Sequence, residues 1–151
     1  MTDVFFYHLQ GQPLDAVLPR LLERTLGRGW RALVKASTPE RLGALDDRLW
    51  TYTDESFLPH ARDEGAGSDD QPILLTLGDR NGNGADALFL VDGAAVPVDL
   101  SGYARVLYLL DGLDEAAVAD ARTAYRALRA AGHDLSYWQQ DEAGAWQKRG
   151  T

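Results

Sequence analysis

Three arginines on one stripe of a predicted helix have the residue type and spacing best suited to binding chemistry in this chain. Arg122, Arg126 and Arg129 stand at positions i, i+4 and i+7 of the helix predicted over Asp114 to Ala131, within an arc of about 60°. Like charges at this spacing repel each other, so they oppose helix formation unless an anion meets them. The pattern therefore favours a local binding site for an anionic partner.

The same helix carries an apolar stripe beside its arginines. Val118, Ala121, Tyr125 and Leu128 recur at helical spacing, which predicts that they face a sheet. A cationic patch next to an apolar crevice suits a ligand with both carboxylates and an aromatic or aliphatic group. The residues leave an alternative open, because the helix dipole alone favours cations near a helix C-terminus.

Other side chains with catalytic or metal-binding potential lack the spacing that such chemistry needs. His8, His60 and His133 form no pair with metal-ligand spacing, and the chain has no cysteine. Asp54 and Glu55 are adjacent, so on a strand they point to opposite faces and cannot share a proton. The sequence therefore predicts no catalytic, metal or cofactor site.

The run Asn81-Gly82-Asn83-Gly84 comes nearest to a phosphate-binding loop. It fails the G-x-G-x-x-G pattern, lacks a Gly-Lys-Ser/Thr ending, and precedes a predicted strand where such loops lead into a helix. We expect a hairpin or a loose turn at this position.

Composition bounds the class of protein. With 151 residues, 45% of them hydrophobic, the chain fits one domain, 1–151, with a buried core. No apolar run approaches the roughly 20 residues that cross a bilayer, and Asp3 before a short apolar run predicts a first strand, not a signal peptide. A net charge of −8 argues against strong direct binding of nucleic acid. Together with the lack of cysteine, these features favour a cytoplasmic protein.

Hydrophobic periodicity predicts an α/β fold with a mostly parallel central sheet and antiparallel edge strands. Short apolar runs alternate with amphipathic stretches, as in strand–helix–strand–helix units. The second helix is expected to begin at a capping box of Ser37 and Glu40, and the last helix to end at Gly132 in the left-handed conformation. The predicted strands are Val4–Leu9, Trp30–Ala36, Pro72–Leu77, Ala87–Val91 and Arg105–Leu110, followed by a hairpin of Leu135–Gln140 and Ala145–Lys148.

The middle of the chain is less regular. Trp50 is expected on the apolar face of the second helix with Leu45 and Leu49. Trp50 and Phe57 then either anchor a partner or close the core at the sheet edge, and the residues leave both possibilities open. The polar, glycine-rich stretch 62–71 predicts a mobile surface loop.

Five blocks in order along the chain carry a family resemblance. They are VFFYHL at 4–9, LDDRLWTYTDESFLPH at 45–60, QPILLT at 71–76, ALFLVDGA at 87–94 and AAGHDLSYWQQDEAGAWQK at 130–148. The most specific pattern among them is L-W-x-x-x-x-E-S-F-x-P-H, from Leu49 to His60. On these blocks the whole chain resembles the chi subunit family of bacterial DNA polymerase III holoenzyme.

The resemblance implies a fold and a function. The family is a non-catalytic accessory of the clamp-loader complex, with a Rossmann-like three-layer fold and no bound nucleotide or other cofactor. It binds the acidic C-terminal tail of single-stranded DNA-binding protein, which ends in proline and phenylalanine, and it joins the clamp loader through the small psi subunit or directly. It thereby links the replicase to the coated lagging-strand template. The alternatives are a small α/β enzyme of unknown substrate and a direct binder of single-stranded DNA.

The resemblance also implies which residues make the tail contacts. Arg122 and Arg126 match basic positions that contact the tail, with Arg126 expected to bind its terminal carboxylate and Arg129 lying alongside as a further cation. Tyr137 matches a position that lines the pocket, where better-known relatives carry a smaller polar residue. Val118 occupies a position where some relatives carry another basic residue.

A second surface is implied by the aromatic block. Trp50 and Phe57, together with Leu58, match the surface that faces psi or the clamp loader.

Overall fold

The computed structural model describes residues 2–51, 58–63, 68–141 and 143–149. The strands in these ranges are β1 (Asp3–Leu9), β2 (Ala32–Lys35), β3 (His60–Arg62), β4 (Ile73–Thr76), β5 (Ala87–Leu90), β6 (Arg105–Asp111), β7 (Asp134–Gln140) and β8 (Trp146–Arg149). The α-helices are α1 (Leu14–Gly27), α2 (Pro39–Thr51) and α3 (Glu115–Ala130), and a short 3₁₀ turn covers Ser68–Asp70.

The strands form one mixed sheet in the order β3-β4-β2-β5-β6-β1-β7-β8. All neighbouring strands are parallel except β7 and β8, which form an antiparallel hairpin. The predicted α/β class with a mostly parallel sheet is therefore confirmed. Only the β8 edge is antiparallel, however, since β3 at the other edge pairs in parallel with β4.

Helices cover both faces of the sheet, which gives three layers. One core cluster packs α1 and α2 against one face, through Leu18, Leu22 and Leu45 among others. The other packs α3 and the segment 94–103 against the opposite face. Strands β2, β4 and β5 are buried along their whole length, since parallel strands covered on both faces carry continuous apolar runs. None of the helices in the described ranges is long and apolar enough to span a membrane.

The start and end of α2 differ from the sequence-based expectation. The hydroxyl oxygen of Thr38 accepts a hydrogen bond from the backbone N–H of Arg41 at 3.2 Å, while Ser37 donates to the backbone oxygen of Asp92 at 2.6 Å. The capping box at Ser37 is therefore wrong, and Thr38 performs the cap. Trp50 is 54% exposed and lies off the buried face, because it follows Leu49 by about 100° around the helix.

The turn at residues 81–84 does not form a hairpin. Strands β4 and β5, which it connects, both pair in parallel with β2. Asn81 exchanges two hydrogen bonds with the backbone of Ala85, and the buried Asn83 amide donates to the carbonyls of Ala32 and Gln71. The loose-turn interpretation is therefore correct. Side-chain hydrogen bonds of Asn81 and Asn83 hold the turn, where a hairpin would use backbone bonds between its strands.

Parts of the predicted loop at 62–71 form secondary structure and ion pairs. Arg62 ends β3, and Arg80 forms ion pairs with Asp63 at 3.1 Å and with Asp69 at 2.5 Å. The predicted loop therefore includes the end of β3 and a short 3₁₀ turn at Ser68–Asp70, while its centre lies outside the described residues and its mobility stays a prediction.

Gln140 joins the start and the end of the sheet layer. Gln140 is only 1% exposed. Its side-chain amide oxygen accepts hydrogen bonds from the backbone N–H groups of Gln10, Gly11 and Gln12, each at 3.2 Å. A Cβ atom on Gly11 would lie 2.8 Å from the backbone oxygen of Asp141, so this close approach requires glycine. The loop after β1 is thus locked to the β7–β8 hairpin.

Gln140→Ala is expected to lower the free energy of unfolding by about 2–4 kcal/mol, because it leaves partly buried backbone donors without an acceptor. Urea denaturation measures the loss. The exposed Gln147→Ala is the matched control and should change stability by less than about 0.5 kcal/mol. A loss below about 1 kcal/mol for Gln140→Ala would show that water replaces the amide oxygen.

Candidate functional site

A cleft of about 450 Å³ opens between α3 and the β1–β7–β8 part of the sheet. We call it the α3 cleft. It brings together five of the residues that the sequence analysis places at this site, and adds three others. Its lining residues are His8, Val118, Arg122, Tyr125, Arg126, Tyr137, Gln139 and Arg149. Arg129 is exposed on α3 but does not line the cleft.

The orientation of α3 follows from its apolar stripe. Ala121 and Leu128 are buried against the sheet, and Val118 and Tyr125 pack at the margin of the same cluster. This confirms the predicted sheet-facing stripe. The neighbouring arginines are therefore held at the rim, where their guanidinium groups face solvent and the cleft.

Both ends of α3 are well defined. The Asp114 carboxylate accepts hydrogen bonds from the backbone N–H groups of Ala116 and Ala117, at 3.0 and 3.3 Å. Gly132 follows the helix with φ of +89°, as predicted, and His133 donates its backbone N–H to the carbonyl of Leu128 at 3.3 Å. These caps place the start of β7 directly after the helix and so set the cleft geometry.

The charge of the α3 cleft is one-sided. Arg122, Arg126 and Arg149 line it, and within the described ranges none of the three forms an ion pair. Among the described residues, none that lines the cleft carries a carboxylate. On a protein of net charge −8, this is a local concentration of unneutralised guanidinium groups suited to carboxylates.

The floor of the cleft is aromatic. The Tyr137 ring stacks on Phe6 with centroids 6.0 Å apart, and it meets the edge of Tyr125 at 6.2 Å. The Tyr137 hydroxyl lies 2.6 Å from Nδ1 of His8. The Tyr125 hydroxyl is buried and has no hydrogen-bond partner among the described residues. The floor therefore combines apolar contact area with a spare hydroxyl group.

Burial tunes the two titratable groups of the floor. It lowers the pKa of His8 below the ordinary value of 6.5, and the nearby Arg122 guanidinium lowers it further, while a hydrogen bond with the Gly112 backbone and the Asp111 charge oppose this. Burial also raises the pKa of Tyr137, and the Arg122 charge partly offsets that shift. Both groups are therefore neutral near pH 7, and the cleft keeps its positive charge on the arginines.

Gly112 makes room for the His8 ring. A Cβ atom at this position would lie 2.0 Å from Cδ2 of His8 and 2.7 Å from the backbone oxygen of Leu9. The glycine therefore fixes where the imidazole sits, and through the hydrogen bond to Tyr137 it also supports the floor.

A larger cavity of about 780 Å³ lies at the carboxyl ends of β1, β5 and β6, where α/β proteins commonly bind ligands. Its lining includes Asp92, Asp111, Asp114 and Asp120, and its cation Arg41 is already paired with Asp92 at 2.9 Å. The loop N–H groups that would meet a phosphate in such folds bind the Gln140 oxygen instead. This cavity is therefore unsuited to an anionic ligand. The described residues contain no cluster of His, Asp or Glu that could hold a metal ion.

The second predicted surface is only partly described. Trp50 is exposed, and its ring lies with its centroid 4.5 Å from that of His60. Leu58 is only 2% exposed and packs in the core, which corrects the expectation that it faces a partner. Phe57 lies outside the described residues.

Sequence reasoning missed His8, Gln139 and Arg149 as cleft residues. Strand alternation in β1 places His8 on the same face as Phe6, so the period of two was an available signal. Arg149 stands opposite Tyr137 in the hairpin register, but the predicted last strand ended one residue earlier. Predicting Arg149 in the cleft would have required the pairing register of β7 and β8, which its residue type does not reveal.

The pKa of His8 in the free protein is expected to lie below 6.5, and Arg122→Ala should raise it by removing a repelling charge. NMR titration of the imidazole measures both values. Because folding lowers this pKa, the unfolded chain holds the proton more tightly. The contribution of neutral His8 to stability is therefore complete above pH 6.5 and is lost as the pH falls through the folded-state pKa. A measured pKa at or above 6.5 would contradict the burial argument.

Comparisons with known proteins place the chain in a family. The family model for the DNA polymerase III chi subunit, HolC, matches residues 1–136. The DNA polymerase III subunit chi of Pseudomonas aeruginosa is 30% identical over 139 residues, which cover 89% of this chain and 94% of that protein. The probable DNA polymerase III subunit chi of Rickettsia prowazekii is 24% identical over 106 residues, which cover 70% of this chain and 62% of that protein. The chain belongs to the DNA polymerase III chi subunit family.

Proposed function

We propose that this accessory subunit of DNA polymerase III links the clamp-loader complex to single-stranded DNA-binding protein by holding the acidic C-terminal tail of that protein in the α3 cleft. In this role it is a non-catalytic adapter that acts in the cytoplasm during lagging-strand replication. The observation that carries the proposal is the set of unpaired guanidinium groups around an aromatic floor.

The chemistry of the tail matches that of the cleft. A C-terminal carboxylate suits Arg126, whose planar guanidinium can donate to both oxygens. The terminal phenylalanine ring suits the surface of Tyr125, Tyr137 and Val118, where edge and stacked contacts are available. Acidic residues upstream of the ring suit Arg122 at the rim.

The strength of this interaction follows from its exposure. Arg122 and Arg126 are solvent-exposed, so each charge pair contributes modestly and is screened by salt. The acidic body repels DNA itself, and this suits a protein that reaches single strands through the protein that coats them. We expect weak to moderate, salt-dependent affinity for the tail.

Arg126→Ala is expected to weaken binding of an acidic, phenylalanine-terminated peptide by at least about ten-fold, because it removes a bidentate carboxylate partner. Isothermal titration calorimetry at low and moderate salt measures the change. Arg129→Ala is the matched control, since it removes the same charge from the same helix outside the cleft, and it should cost less than about two-fold.

Two results would count against the tail site. Equal losses for Arg126→Ala and Arg129→Ala would mean that the peptide responds to the general charge of α3. A folded wild-type protein that does not bind the peptide at either salt concentration would exclude the tail as its ligand.

We propose further that the surface around Trp50 docks the psi subunit or the clamp loader directly. Helix α2, which carries Trp50, contacts β3 and β4 at one edge of the sheet, whereas α3 contacts β6 and β7 on the opposite face. Trp50 is 54% exposed, and large exposed aromatic side chains are typical anchors of protein interfaces. The two surfaces are far enough apart in the sheet order for both partners to bind at once.

Trp50→Ala is expected to separate the two interactions. It should reduce binding to the reconstituted clamp-loader subunits by about ten-fold or more, because interface tryptophans often contribute about 2 kcal/mol or more. Affinity for the tail peptide should stay within about two-fold of the wild-type value. Size-exclusion chromatography and calorimetry measure the two effects, and loss of peptide binding in this variant would instead indicate misfolding.

A further inference from the structure

We propose that β8 supplies a third guanidinium, Arg149, which binds a second carboxylate of the tail on the wall opposite α3. The inference rests on the proposed function of the α3 cleft and adds a specificity to it. The site then requires a ligand with a terminal carboxylate and an acidic side chain upstream of its aromatic residue.

The hairpin register places Arg149 in the cleft. Strands β7 and β8 are antiparallel, with Tyr137 opposite Arg149 and Trp138 opposite Lys148. Directly opposed residues in an antiparallel pair point to the same face of the sheet. Arg149 therefore stands beside Tyr137 on the α3 face, while Lys148 points to the other face.

The guanidinium of Arg149 is oriented with its terminal groups unused. Its Nε donates to the side-chain oxygen of Gln139 at 3.2 Å, and the Gln139 amide in turn donates to Gln10 at 3.1 Å. Neither terminal nitrogen of Arg149 has a hydrogen bond or an ion pair within the described ranges. Its two terminal NH₂ groups thus remain to donate, one N–H each, to the two oxygens of one carboxylate.

The hairpin that carries Arg149 is well anchored. The Asp141 carboxylate accepts hydrogen bonds from the backbone N–H groups of Ala143 and Ala145, both at 2.9 Å, and Gly144 takes φ of +86° in the turn. Trp146 packs edge-on against Tyr7 with ring centroids 5.0 Å apart. An anchored strand can hold a binding group at low entropic cost.

This contact lies outside the part of the chain that the family model matches. The match ends at residue 136, before Tyr137 and the whole of β8. The matched range therefore does not include Arg149. The structure adds it to Arg122 and Arg126 through the hairpin alone, across the aromatic floor of Tyr137.

The arginines on the two walls of the cleft suit different carboxylates of the ligand. Arg126 on one wall suits the terminal carboxylate next to the aromatic ring, with Arg122 beside it at the rim. Arg149 on the other wall stays unpaired unless the ligand brings a second carboxylate. A peptide that carries only its terminal carboxylate leaves Arg149 without a partner.

A double-mutant cycle in calorimetry tests this assignment. The probes are the acidic C-terminal peptide of the cognate single-stranded DNA-binding protein and the same peptide with its upstream aspartates changed to asparagine. Arg149→Gln should weaken binding of the acidic peptide by about three- to ten-fold and leave the asparagine peptide within about two-fold. Lys148→Gln is the matched control and should change neither peptide by more than about two-fold, because its side chain leaves the opposite face.

The outcomes separate this inference from the proposed function. Wild-type protein that binds neither peptide overturns the tail site itself. Wild-type binding that Arg149→Gln does not change overturns the role of Arg149 and leaves the tail site standing. An equal loss for both peptides, or an equal loss for Lys148→Gln, overturns the pairing with an upstream carboxylate. Thermal unfolding of each variant confirms that the hairpin is intact.

Discussion

The parallel pairing of β1 with β7 is the constraint on which the rest of the structure depends. β1 also pairs in parallel with β6, so the chain must pass over β1 between β6 and β7, and α3 is that crossover. Parallel crossovers are almost always right-handed, which assigns the helix to one face. That face carries Phe6 and Tyr137, so the apolar stripe of α3 has an aromatic surface to cover. The cleft arises where this coverage ends, between the arginine rim of the helix and the hairpin.

The like charges of the cleft arginines slightly destabilise α3 but make the cleft suited to binding an anion. Arg122 and Arg126 are one turn apart on α3, and such a like-charge pair costs a few tenths of a kcal/mol in a helix. Some arginines elsewhere in the chain are paired with carboxylates, as Arg41 is with Asp92 and Arg62 with Asp46. The cleft arginines, in contrast, have no carboxylate beside them among the described lining residues, and this leaves them available to an anionic partner. The low pKa of His8 keeps the floor beneath them neutral and apolar near pH 7.

Much of the fold and half of the cleft lining follow from local pattern. Helical spacing predicted the apolar stripe of α3 and its neighbouring arginines, because the period of a helix alone decides which residues share a face. The errors came from decisions that depend on distant residues. Ser37 bonds across to Asp92 and leaves the cap to Thr38, and the turn at 81–84 joins parallel strands because β2 lies between them. Arg149 lies in the cleft only because the hairpin register sets it opposite Tyr137, and this register cannot be read from the sequence of one strand alone.

The α3 cleft does not lie at the edge of the sheet where this kind of fold usually binds its ligands, and the hydrogen bonds at that edge explain why. In doubly wound sheets, the loop after the first strand offers N–H groups to a phosphate at the carboxyl ends of the strands. Here the buried amide oxygen of Gln140 occupies the donors of that loop, and carboxylates surround the cavity beside it. The same residue ties the loop to the β7–β8 hairpin. The bonds that close the edge to phosphate therefore also brace the hairpin that extends the α3 cleft. In this chain, one buried amide oxygen thus both occupies the donors at the usual anion site and braces the strand beside the α3 cleft.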